Sequence, residues 1–442
     1  MERRTGLAPG LRLAAIRYRF QESLFLLPVL IMVGGIVLAA AATAVDGAVG
    51  HDARVPLTLA MNSHAATWLL ATVAGAMITT VGVVFSLTVV SLQLASDQFS
   101  PRVMRSFIRD RLSQAVIGLL VGTFFYCVLV LPNISGEPTD PAPQVSLTLA
   151  VGLTLVTVAG IIVHLDHLAR GLQVGNVVRL ITTEGEAVVS ALGTAPRRLE
   201  QVDPHEYTAP DDAAVVPCQV SGWVSQVDVE HTLRAVPRGT VLRLETRIGA
   251  YIHAGEPLFT VWPEPSEKDR EQLLERVEVA PARTMLQDVD FALRQLVDIG
   301  LRALSPAVND PTTAVEVVLR VGTLMRRVLT SPVTPAALRD SEGRVLVQPW
   351  NLDHDELVAH AFDQLRQTSV NQPYVAATLL RVLRMLIVHV QAEGCAERAD
   401  ALHRQVRLLL ESLQELPGIH PEDLEHLRAV ASDRTDPADH SR

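Results

Sequence analysis

Lysine is nearly missing from this sequence: Lys268 is the only one, against 37 arginines. The imbalance reads as genomic bias rather than chemistry. Cysteine is scarce too. Cys127, Cys218 and Cys395 form no CxxC and no close pair, which excludes a disulfide framework and a cysteine zinc site. There is no P-loop, no GxGxxG, no HExxH and no usable Ser/His/Asp order. The expectation is therefore a protein that is not an enzyme and carries no cofactor. Basic charge is short in the second part of the chain. Residues 1–167 carry 10 basic and 9 acidic side chains, whereas residues 168–442 carry 28 basic and 39 acidic ones. So acidic a surface speaks against nucleic acid as a partner.

Charge of either sign is missing altogether from residues 66–96, ATWLLATVAGAMITTVGVVFSLTVVSLQLAS. As a helix this run would reach roughly 46 Å, where a bilayer core needs about 30 Å. Its small and polar residues are not scattered. Thr72, Gly75, Thr79, Gly82, Ser86, Val89, Gln93 and Ser96 recur at alternating spacings of three and four. That is one stripe of a helix, and lipid would favour Leu and Val there. Leu70, Val84 and Val90 are expected on the opposite face. The stripe is expected to face protein or water, either as the wall of a pathway or as a helix-packing seam. Asp97 closes the run, and Arg102, Arg105, Arg109 and Arg111 follow, as in loops retained in the cytoplasm.

The remaining spans follow the same logic. A basic N-terminus, residues 1–23, precedes spans at about 24–45, 66–96, 112–131 and 145–164, which make up a four-helix transmembrane domain over 24–167. Gly118 and Gly122 in the third span stand at helix-packing spacing. The arginine-rich segments fall on one side, with Arg54 in the first external loop beside Asp46 and Asp52, which predicts both termini in the cytoplasm. His164, Asp166 and His167 share one helical turn, but no third His or Cys is placed beside them, so no metal site is expected.

Beyond the membrane the sequence predicts an α+β region. Residues 168–213 read as a helix and a linker. Over 214–265 the hydrophobic period is two, in VVPCQV, GWVSQVDV, TVLRLET and PLFTVW. From 266 to 431 the pattern is helical, with helices at roughly 267–275, 284–304, 311–330, 354–369, 373–392, 396–414 and 421–431. Residues 432–442 read as a disordered tail. The strand segment has the core Gly249-x-x-Ile252-x-x-Gly255-x-Pro257-Leu258. It resembles the small β-barrel, or barrel-sandwich, module of biotinyl and lipoyl carriers. Those carriers load their cofactor on a hairpin lysine. Here the equivalent stretch is HTLRAVPR, so the resemblance implies a fold and not a carrier.

The sharpest local motif is LRALSPAVNDPTTA, residues 301–314. Its functional candidates are Arg302, Ser305, Asn309, Asp310, Pro311, Thr312 and Thr313. One helix should end near Leu304. Asn309 or Asp310 should cap the next, with Pro311 at its first position. Thr312 and Thr313 would then offer free N–H groups to an anion, although the Asp310 carboxylate already occupies that end. A tight, buried interhelical turn is the alternative. Together with the four spans, the segments FSLTVVSLQLASDQFSPR, SGWV, IGAYIHAGEPL and RALSPAVNDPTTA resemble the bacterial predicted-membrane-protein family of domain of unknown function 2254, over roughly residues 10–415. The resemblance implies a bacterial inner membrane and no established activity. The resulting expectation is an oligomeric, channel- or transport-like protein regulated by its cytosolic part, or a membrane-anchored sensor or scaffold. Its partners would be the lipid bilayer and further copies of itself.

Overall fold

The computed structural model describes residues 26–49, 58–98, 111–138, 140–171, 173–192, 199–332 and 334–432. The basic N-terminus, Arg102, Arg105, Arg109 and the 433–442 tail lie outside the described residues. The chain divides into two compact units between residues 173 and 174.

The first unit is built on four long apolar helices: α1 (Leu26–Val49), α2 (Ser63–Gln98), α3 (Arg111–Val130) and α4 (Gln144–Gly171). Each is long and apolar enough to cross a membrane. Glycine sets how closely α1 and α3 approach. A Cβ on Gly35 would lie 2.7 Å from the Gly122 carbonyl oxygen, and one on Gly118 would lie 2.9 Å from Ile31 Cδ1. The Gly118/Gly122 pair is thus a helix-packing pair in fact. Tyr126, Leu120, Leu70 and Leu147 fill the interior and are fully buried. Two polar contacts are sealed within it: Thr123 Oγ1 to Thr157 Oγ1 at 3.0 Å, and the Tyr126 hydroxyl donating to the Ser146 carbonyl at 2.9 Å.

One end of this bundle is fastened by a borrowed cap. Asp46, near the end of α1, accepts hydrogen bonds from the Val145 and Ser146 amides at 2.9 Å and from the Ser146 hydroxyl at 2.6 Å. Those amides are orphan donors of the first turn of α4. A carboxylate there also complements the helix dipole.

The second unit begins with α5 (Val174–Leu192). There follow β1 (Glu200–Gln201), β2 (Ala214–Pro217), β3 (Gly222–Val227), α6 (Val229–Arg234), β4 (Val241–Leu244), β5 (Tyr251–Ile252), β6 (Pro257–Trp262), α7 (Glu267–Leu274) and β7 (Val277–Ala280). The helical part comprises α8 (Val289–Ala303), α9 (Pro311–Thr330), α10 (His354–Ser369), α11 (Pro373–Ala392), α12 (Ala399–Gln414) and α13 (Pro421–Ser432), interrupted by β8 (Ala337–Arg339) and β9 (Val345–Val347).

The expected barrel is corrected by the pairing. Among the described residues the strands form two open sheets, in the orders β1-β8-β9-β4-β6-β2 and β5-β3-β7. Strands β8 and β9 come from a stretch with helices on both sides, and β9 pairs with β4 in parallel, Leu242 opposite Leu346. They extend the sheet sideways instead of closing it. β1 lies inside the segment read as a linker and pairs with β8. The HTLRAVPR stretch is no hairpin either. Asp228 caps α6 there, and Leu233 is buried in the core between the sheets with Phe259, Leu242 and Leu258.

Helix α11 is the fifth helix that is apolar enough to span a membrane. Its composition has another physical source. Val375, Leu379, Leu380, Leu383, Leu386 and Val390 are buried within this unit, and a helix covered on several sides is apolar nearly all round.

Candidate functional site

Three groups of residues compete as functional, and the structure separates them. The first is the α2 stripe. Measured round the helix, the apolar side chains that α2 buries in its own bundle are Ala66, Leu70, Ala74, Met77 and Val84. Thr72, Gly75, Thr79, Gly82, Ser86, Val89 and Gln93 are all exposed, on the opposite side. A Cβ on Gly75 or on Gly82 would meet nothing within 4 Å. The stripe therefore lines no channel inside a single bundle; it is the outer face. Leu70 and Val84 do oppose it. Val90 does not: it is 46% exposed, because at 100° per residue it falls beside the stripe. The Thr79 hydroxyl donates to the Gly75 carbonyl at 2.8 Å, so it needs neither water nor a partner. Asp97 lies in the last turn of α2, which runs to Gln98.

His164 and His167 part company at the end of α4. His164 is buried, with Nδ1 3.3 Å from Ser113 Oγ, whereas His167 is exposed and Asp166 pairs with Arg170. They converge on no common point.

The second group is the turn between α8 and α9. Helix α8 ends at Ala303. The Ser305 carbonyl accepts from the Val308 and Asn309 amides, and Asp310 N donates to the Ala303 carbonyl at 2.7 Å. Asn309 takes the left-handed backbone conformation, φ 45°, which Asn tolerates better than most residues. Asp310 is the cap. Its carboxylate accepts from the Thr313 amide at 3.0 Å and from the Thr313 hydroxyl. Those two bonds, the hydroxyl first, hold its pKa below the usual carboxylate range. The anion position at this helix start is thus filled by the chain's own carboxylate. The turn is not buried: Arg302, Pro306, Val308, Asn309 and Thr312 are exposed. Asn309 Oδ1 instead accepts from Gln372 Nε2 at 2.9 Å, which fastens the turn to the start of α11. Asp310→Ala is expected to cost roughly 0.5–2 kcal/mol, while Asp310→Asn keeps most of the cap. Chemical denaturation of the two variants checks this, and equal losses would contradict the capping role.

The third group lies outside the candidate residues named from the sequence. Arg283, in the loop after β7, makes a bidentate pair with Asp288, Nε to Oδ2 at 2.6 Å and Nη2 to Oδ1 at 3.1 Å, and reaches Asp290 Oδ2 at 2.7 Å. Asp288 also caps α8 through the Phe291 amide. Asp290 Oδ1 lies 2.7 Å from His360 Nδ1 on α10. Both aspartates are almost wholly buried. For Asp290, burial opposes the charge, but the hydrogen bonds from His360 and Arg283 outweigh it and hold the carboxyl well below the usual range. For Asp288, burial outweighs Arg283 and pushes the pKa up.

Two quoted sequence segments meet at this cluster. The Arg283 guanidinium lies 5.8 Å from the centre of the Trp223 ring, from SGWV. Gly249, from IGAYIHAGEPL, has φ +79°, and a Cβ there would lie 2.2 Å from Asp288 Oδ2. That position requires glycine for both its conformation and its closeness. A warning signal did exist in the sequence: Asp288-x-Asp290 directly before an apolar helix, where two carboxylates cannot be buried without a cation.

Four long apolar helices followed by an α+β unit define a multi-pass membrane protein. The chain belongs to the predicted-membrane-protein family of domain of unknown function 2254, which matches residues 21–385. The match is narrower than residues 10–415 and ends within α11, leaving out α12 and α13. The chain is similar to uncharacterized proteins of Mycobacterium tuberculosis and Mycobacterium bovis. Each is 34% identical over 367 residues, 78% of this chain and 68% of theirs. No solved structure matches it significantly.

Proposed function

We propose that several copies of this chain assemble side by side in the bacterial inner membrane, meeting along the α2 stripe, and that the α+β unit regulates the assembly from the cytoplasm. The observation that carries this reading is the outward stripe, where a Cβ on either glycine would meet nothing within 4 Å among the described residues. The same bundle spends its other small-residue pair on close helix packing between α1 and α3. An unfilled stripe of the same kind, set among Val83, Phe85 and Leu94, suits a second helix better than lipid tails. The side assignment rests on charge: Asp46, Glu137 and Asp140 lie at one end of the bundle, Arg111 and Arg170 at the other. The reading is of a non-enzymatic protein, because the buried ionisable cluster is paired within itself.

A dry seam is favoured by the Thr79 hydroxyl, which is satisfied within its own helix. A pathway between copies is the second reading. Gln93, exposed and without a hydrogen-bond partner among the described residues, favours it, since an amide in hydrocarbon is costly. Single cysteines at Thr79, Ser86 and Gln93, in a chain with Cys127, Cys218 and Cys395 replaced, separate the two. The seam predicts pairwise crosslinks and no reaction with a charged thiol reagent in intact membranes; the pathway predicts labelling. Neither crosslinks nor labelling would place the stripe against lipid and end both readings.

A further inference from the structure

A cavity of about 90 Å³ opens in the α+β unit, walled by the end of α5, the turn at Arg247 and Ile248, the start of α8, the end of α9, the loop at Asn351 and the first turn of α10. Its polar lining is one-sided. Asp288 and Asp290 are on the wall, but both oxygens of each are already taken by Arg283, His360 and the Phe291 amide. The groups left over are donors. Arg247 is half-buried; among the described residues its guanidinium makes one hydrogen bond, to the neighbouring Ile248 carbonyl at 3.3 Å, and has no carboxylate partner. Asn351 Nδ2 is buried with no hydrogen-bond partner among the described residues. Ser331 and Thr334 are also among the lining residues. A buried amide donor without an acceptor is costly, and an arginine fork without a carboxylate is a receptor for one.

We propose that this cavity binds a small oxyanion, a carboxylate or phosphate group, with Arg247 and Asn351 as its main donors. About 10–15 Å³ of such space holds one water, so the cavity has room for acetate or inorganic phosphate. The place suits regulation. Two residues separate the end of α4 from the start of α5, so a ligand here would tie the segment next to the last membrane helix to α8, α9 and α10. This use rests on the regulatory reading above; the binding itself holds whether or not copies assemble along α2.

The test is thermal unfolding of the full-length protein in detergent, titrated separately with phosphate and with acetate at constant ionic strength made up with chloride. The cavity predicts a saturable rise of several degrees in Tm with at least one of them; which one responds identifies the ligand chemistry. Arg247→Gln should weaken that response about tenfold or more, while Arg404→Gln on the surface of α12 leaves it unchanged. If Arg247→Gln does not fold, Asn351→Asp serves, since it sets a carboxylate where the anion would sit. No saturable response to either anion, or a response that survives both cavity substitutions, overturns the proposal.

Discussion

Leucine at Gly35 or Gly122 is expected to unfold the membrane unit, whereas leucine at Gly75 and Gly82 leaves it folded and takes the assembly apart. The four glycines look alike in sequence, each within an uncharged stretch of a long apolar helix. Their surroundings differ. At Gly35 the first added carbon would already lie 2.7 Å from a backbone oxygen of α3, and a backbone cannot swing aside as a flexible side chain can. The cost is expected at or above the upper end of overpacking, about 3 kcal/mol. At Gly75 and Gly82 a single chain has open space. The stability of one bundle should then move by no more than about 0.5 kcal/mol, but the approach of a second α2 helix is blocked. Thermal melts in micelles, run beside light-scattering masses, read both effects. Equal melts for the Gly35 and Gly75 variants would refute the packing account.

The other large effect lies in the buried cluster. Arg283→Met should cost about 3–5 kcal/mol, since it leaves two buried carboxylates without their common cation. Arg339→Met, at an exposed pair with Glu200, should leave the melt where it is. Adding Asp288→Asn to Arg283→Met should recover part of the loss, because an amide keeps the cap on α8 and removes one uncompensated charge. The two aspartates also carry opposite pH signatures. The folded pKa of Asp290 is depressed, so its stabilisation is present above the ordinary carboxylate pKa and is lost as pH falls toward the depressed value. That of Asp288 is raised, so its contribution is present below the ordinary value and is lost as pH rises through the raised one. Asp290→Asn should therefore flatten the acid side of the stability profile, and Asp288→Asn should steepen it. Urea unfolding between neutral and strongly acid pH checks both signs.

What the sequence made legible was local. Helices α7, α9, α10 and α11 start within a residue of expectation because the start signals are local: the Ser266/Asp269 and Asp353/Glu356 capping boxes, and prolines at the first turns of α9 and α11. The four long apolar helices follow from length and missing charge. The misses were set by partners distant in sequence. Strand β9 is three residues long and gains its identity from β4, about a hundred residues earlier. Helix α8 starts at Val289, not 284, because Asp288 and Arg283 hold the preceding loop in place. The stripe was legible as a pattern. That it points away from its own bundle follows from which α2 residues, Leu70, Met77 and Val84, meet the other helices, and no spacing within α2 gives that.

The claim that copies meet along α2 is tested most directly by the mass of the intact wild-type protein released from lipid nanodiscs in a native mass spectrometer. The account predicts a defined multiple of the single chain for the wild type and a single chain for Gly75→Leu/Gly82→Leu. A wild-type protein that leaves the bilayer as one chain at every lipid ratio, with the double variant indistinguishable from it, would contradict the account.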